Sequence, residues 1–152
     1  MNEPLAAANS ASERHPLLRA AAAGTVPVAE LIGFEVGEIA GGRAVATLQT
    51  GPQHANPMGT LHGGILCDLA DAAMGMAFVG TLAPDQSFTT VDLNIHFFRP
   101  LWTIRLTAEA LVIQRGKTTG YIECTVRDGD GNLVAKAAST CLVLAGERAK
   151  GR

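Results

Sequence analysis

Aromatic residues make up only 5% of this 152-residue chain, and cysteine occurs three times. Cys67, Cys124 and Cys141 are odd in number and each lies inside an apolar segment. That excludes a disulfide framework and fits reduced thiols packed as small hydrophobes. Charge is also scarce at 17%, with a formal balance of −2. No basic stripe is present, so nucleic acid is not an expected partner. No run approaches the roughly 18 apolar residues that span a bilayer, and the Ala-rich start lacks the basic region of a signal peptide. A cytoplasmic protein with no membrane partner is expected. His15, His54, His62 and His96 show no zinc-ligand spacing, and no Cys pair accompanies them, so no metal is expected. Asp128, Asp130 and Asn132 begin like a calcium loop, but Leu133 and Ser139 occupy the glycine and glutamate positions, leaving a hairpin turn.

Hydrophobic content is 47%, enough for one core and one domain. Residues 1–12 show no periodicity and read as a tail. Residues 13–24 read as a short helix with Leu17, Leu18 and alanines 20 to 23, ended by Gly24. A helical turn follows over 26–31, with Pro27 near its start. Phe34 and Val36 pair with Ala44, Ala46 and Leu48 around Gly41-Gly42 as a hairpin. After a long helix ending near Gly80, Val91, Leu93, Ile95 and Phe97 alternate with Asp92, Asn94 and His96, the pattern of a strand with one buried face. Ile104 to Val112, 121–127 and 133–144 give further strands, reversed at 115–117 and 128–131. The expected organisation is a tail and short helix over 1–24, one domain over 25–146 and a tail over 147–152. One long helix and about six mainly antiparallel strands define an α+β fold, with the helix against one face of a curved sheet.

Most informative is the segment 54–78, where a Gly-rich polar turn runs into a nearly all-apolar helix interrupted by Asp68 and Asp71. A helix apolar around most of its circumference is expected to be wrapped on all sides, and a carboxylate there is costly unless paired or used. Gly63 and Gly64 open the helix, where unpaired N–H groups and a favourable dipole suit a developing oxyanion and no Cβ blocks an approaching ligand.

Asn56, Gly59, His62-Gly63-Gly64 and the Leu-Ala-Asp ending at Asp71 resemble the hotdog-fold acyl-CoA thioesterases of the PaaI-like group. Val91-Asp92-Leu93-Asn94 and the turn Arg115-Gly116-Lys117-Thr118 add to the resemblance. It extends over roughly residues 30 to 145. It implies a sheet wrapped round the helix and a homo-oligomer, a dimer or dimer of dimers, joined sheet edge to sheet edge, which accounts for final strands without edge protection. The implied activity is hydrolysis of an acyl-CoA, with coenzyme A as part of the substrate and no other cofactor. Asp71 is then nucleophile or general base, the Gly63 amide is the oxyanion donor and His62 shapes the turn. Asn56 helps position water or carbonyl, and Thr90 holds water near Asp71, although Thr89 is adjacent. The turn at Arg115, Gly116, Lys117 and Thr118 contacts the nucleotide end of coenzyme A. Gly64, Leu61, Met74 and Phe78, with Trp102, are available to line an aryl or medium-chain acyl pocket.

Gly63 and Asp71 are eight helical positions apart, ~12 Å along the axis, too far for both to touch one carbonyl. A joint role therefore needs the donor from one subunit and the acid from another. Each residue also has an ordinary reading. Asp71 without the Gly-rich turn reads as a hydrogen-bonded structural acid, and the turn favours catalysis. Asp68 reads as a structural residue at a polar rim, His62 as a turn former rather than a base, and Cys67 as inert packing rather than a nucleophile. The 115–118 turn reads equally as a solvated hairpin tip. Two further functions stay open: a hotdog dehydratase or hydratase, which needs a His paired with an acid, and a non-enzymatic acyl-CoA sensor.

Overall fold

The computed structural model describes residues 15–23 and 26–151. Helix α1 spans Pro16–Ala22 and α2 spans Pro27–Ile32. Strands β1, Phe34–Ala40, and β2, Arg43–Gln49, precede the central helix α3, Gly63–Val79. Then come β3, Ser87–Phe97, β4, Arg105–Arg115, β5, Thr119–Asp128, and β6, Leu133–Leu144. The expected tail over 1–12 and the stop at Gly24 lie outside the described residues, and Ala23 caps α1. A 3₁₀ turn, Gly146–Ala149, stands where the C-terminal tail is expected to begin.

All six strands form one antiparallel sheet in the order β1-β2-β4-β5-β6-β3. Small residues let the helix lie close to it. Ala44 pairs with Ala110 and Ala46 with Ala108, and all four are fully buried beneath α3. Leu69, Met74 and Phe78 of the helix fill the space the alanines leave. Gly120 of β5 is required by the same packing, because a Cβ there would stand 2.2 Å from the Phe78 ring. Two buried histidines tie the N-terminal elements down. His15 Nδ1 accepts from Leu17 N–H while Nε2 donates to Gln86 O, and His54 bonds Gly51 N–H and Ile32 O in the same tautomer.

Three expectations are corrected. The helix is not wrapped on all sides, since Asp68 and Asp71 are exposed on one stripe of it. The final strand is not an edge, because β6 is enclosed between β5 and β3 and the open edges are β1 and β3. The apolar side of β3 is only partly covered. Leu93 and Ile95 pack on the core, but Val91 and Phe97 are 62% and 50% exposed. Val91 falls at a register shift between Thr90 and Asp92, and such a bulge re-aims the side chains on either side of it.

Candidate active site

The loop before α3 is held by its own side chains. Asn56 Oδ1 accepts from the N–H groups of Met58 and Thr60, and its amide donates to the Thr60 hydroxyl. His62 is the helix N-cap, with Nδ1 accepting from Gly64 N–H at 2.9 Å. Ile65 N–H is taken by the His62 carbonyl. Of the first three helical amides, the Gly63 N–H alone has no partner among the described residues. Gly63 borders a cavity of about 390 Å³ walled by Leu61, Leu66, Phe97, Phe98, Arg99 and Leu101. The Phe97 ring rests on Gly63, where a Cβ would come within 3.1 Å of it.

Two turns further along α3, Asp71 faces a different and larger groove of about 770 Å³. The helix supplies Asp68, Asp71, Ala72, Gly75 and Met76, the spacing of one helical stripe. Val28 and Ala29 of α2, Phe34 and Val36 of β1 and Phe88 and Thr90 of β3 supply further walls, and the carboxylates Glu30 of α2 and Glu35 of β1 border the same groove. Of the two adjacent threonines, it is Thr90 whose hydroxyl donates to Asp71 Oδ1, at 3.4 Å. Desolvation by the surrounding apolar walls pushes the Asp71 carboxyl above the ordinary carboxylate range, and the nearby Asp68 charge adds to this. The Thr90 hydrogen bond works against it. Such a carboxylate, raised yet solvent-reachable, is suited to taking a proton.

The two groups expected at one carbonyl therefore face separate cavities within a single chain. Met74 and Phe78 line neither, being fully buried toward the sheet. Leu61 lines the Gly63 cavity, and Gly64 is engaged by His62. Trp102 is exposed. In the turn between β4 and β5, the Arg115 guanidinium lies 5.2 Å over the Phe78 ring. It also donates to the Thr81 hydroxyl and to the Gly116 carbonyl. Gly116 N–H closes the turn on Thr119 O, Thr118 O receives Val143 N–H, and Lys117 projects into solvent. Gly75 and Phe88 are groove residues that sequence reasoning missed. The spacing of four residues from Asp71 to Gly75 was the available signal.

The thioesterase superfamily profile matches residues 58–135. Human acyl-coenzyme A thioesterase 13 is 32% identical over 65% of this chain and 71% of its own length. The 1,4-dihydroxy-2-naphthoyl-CoA hydrolase of Listeria monocytogenes is 28% identical over 75% of this chain and 93% of its own. Among solved structures, the E. coli PaaI protein from the phenylacetic acid degradation operon superimposes with a TM-score of 0.79 at 26% identity, covering 89% of this chain and 96% of that one. A curved antiparallel sheet packed on one central helix is the hotdog architecture. The chain belongs to the thioesterase superfamily and is a hotdog-fold thioester hydrolase of the PaaI type.

Proposed function

We propose that the protein hydrolyses acyl-CoA thioesters, of aryl or medium-chain acids, at a site shared between two copies of the chain. The observation that carries this is the division of labour along α3: an unpaired amide at Gly63 and a raised carboxylate at Asp71, ~12 Å apart and facing different cavities. Two copies related by a two-fold axis bring one chain's amide to the other's acid twice over, which makes two equivalent sites. The open edge of β3, with Val91 and Phe97 exposed, supports pairing through that strand.

In this reading the thioester carbonyl oxygen points at the Gly63 N–H. Asp71 takes a proton from water as the water oxygen bonds the carbonyl carbon, and the negative charge gathers on the carbonyl oxygen beside the amide and the helix dipole. The tetrahedral species collapses by breaking the C–S bond, and the coenzyme A sulfur departs with the electron pair and recovers a proton. In the covalent version the Asp71 oxygen bonds the carbonyl carbon, the C–S bond breaks and the coenzyme A thiolate leaves and takes up a proton, and water then hydrolyses the resulting anhydride to free acid and Asp71. Thr90 orients the Asp71 carboxylate, His62 holds the Gly63-Gly64 turn and Asn56 fixes the loop. Lys117 offers charge to a coenzyme A phosphate, while Arg115 is engaged in holding the turn against Phe78.

The test is thiol release from a panel of aryl and aliphatic acyl-CoAs, wild type beside Asp71→Asn. Turnover lost in the variant with binding retained is expected. Calorimetric binding without thiol release by the wild type would instead favour an acyl-CoA sensor. Label found in the Asp71 carboxylate after single-turnover hydrolysis in oxygen-18 water marks direct attack with water entering at the Asp71 carbonyl carbon, since general-base hydrolysis places the label in the released acid alone.

A further inference from the structure

Two contacts bridge α3 and β3 in the Asp71 groove, and they stand side by side. The first is the Thr90 to Asp71 hydrogen bond. The second joins Gly75 to Phe88, where a Cβ built on the glycine would lie 3.1 Å from the ring's Cζ, so the phenyl rests on bare helix backbone. Asp71 to Gly75 is one helical turn, ~6 Å. Thr90 to Phe88 is one same-face step back along the antiparallel-running strand. The Phe88 ring therefore stands about one turn beyond the carboxylate, toward the C-terminal end of the helix.

What lies along that turn indicates which part of a thioester enters it. Between Asp71 and the ring the helix offers Ala72, Gly75 and Met76, none with an N–H or O–H to give, and the groove's other polar side chains, Glu30 and Glu35, belong to α2 and β1 rather than to this stretch of helix. In the other direction the next residue on the stripe is Asp68. The amide-bearing arm of coenzyme A would leave polar groups unpaired beside Phe88, whereas an alkyl or aryl group loses nothing there. The ring is also backed from within the core. Its centroid is 5.7 Å from that of Phe78, edge to face at 70°, and Phe78 is itself fully buried against Gly120.

We propose that Phe88 is the stop that sets how long an acyl group this enzyme accepts, with Gly75 as the notch that admits its ring. The inference rests on the acyl-CoA reading and goes beyond it by naming the residue pair that determines specificity.

The measurement is kcat/KM for straight-chain substrates from butanoyl- to dodecanoyl-CoA. In Phe88→Ala the optimum moves to longer chains, and the long-to-short ratio rises by about 10-fold or more, the discrimination one methylene commands in an apolar pocket. Gly75→Ala, which drives a methyl into the ring, lowers kcat/KM for the chains that reach it. In the Phe88→Ala background the same glycine change has little effect, because the two residues act as a contact pair. Should Phe88→Ala fail to fold, Phe88→Leu and Phe88→Met carry the same comparison, and loss of structure does not by itself move a length ratio. A chain-length profile in a folded Phe88 variant that superimposes on the active wild type overturns this inference and leaves the acyl-CoA reading standing. Wild type that releases thiol from no chain length removes the reading and the inference together.

Discussion

His62 Nδ1 holds the N–H of Gly64, and the amide of Gly63 beside it has no partner among the described residues. Proline at position 63 removes that N–H. His62 has φ −68° and ψ 130°, the extended conformation that a following proline requires, and proline is well tolerated at the first helical position. Gly63→Pro is expected to fold, with a small adjustment of the Phe97 ring, and to lose about 10²- to 10³-fold in kcat, the cost of deleting one oxyanion donor. Circular dichroism and steady-state kinetics on the same preparation check both halves.

The Asp71 carboxyl is held above the ordinary range by desolvation first and by the Asp68 charge second. A base works only when deprotonated, so activity falls as pH drops through the raised value, and the acid limb of the kcat/KM profile lies above that of an unperturbed carboxylate. Removing the neighbouring charge in Asp68→Asn moves that limb to lower pH. A limb that stays in place would separate Asp68 from the titration.

The same desolvation means that folding disfavours the ionised Asp71. Asp71→Asn is therefore expected to abolish turnover while melting no lower than the wild type, the usual relation between an active-site acid and stability. Thr90→Ser preserves the hydroxyl and most of the activity, and Thr90→Val lowers kcat. Thermal melts beside the thiol assay measure each effect.

Lys117 and Arg115 should separate although they are two residues apart. Lys117→Ala raises KM more than it lowers kcat, as expected for a contact made equally in ground and transition states. Arg115→Ala lowers the melting temperature as well, because its guanidinium bridges Phe78 and Thr81. An unchanged KM in the lysine variant would remove the turn from substrate binding.

Much of this arrangement was legible in the chain, for identifiable reasons. The start of α3 is written in His62-Gly63-Gly64 and its end in Gly80, both local signals. Ala44, Ala46, Ala108 and Ala110 alternate cleanly because one sheet face covers the helix. The groove was harder to read because β3 changes phase inside itself. Phe88 and Thr90 face inward before the shift at Val91, and Leu93 and Ile95 face inward after it. A period-two pattern begun at Val91 therefore cannot reach back to Phe88. Met74 and Phe78 looked available because helical spacing alone does not say which stripe the sheet leaves open. The stripe that borders the groove is the one carrying Asp68, Asp71 and Gly75, with Gly75 covered by Phe88.

The most direct test mixes two disabled chains. Gly63→Pro and Asp71→Ala, each inactive alone, are co-expressed with different tags and the hybrid is isolated by tandem affinity. A site built from one chain's amide and another chain's carboxylate predicts that the hybrid recovers about one working site per dimer. A well-folded hybrid as inactive as its parents would contradict the shared site.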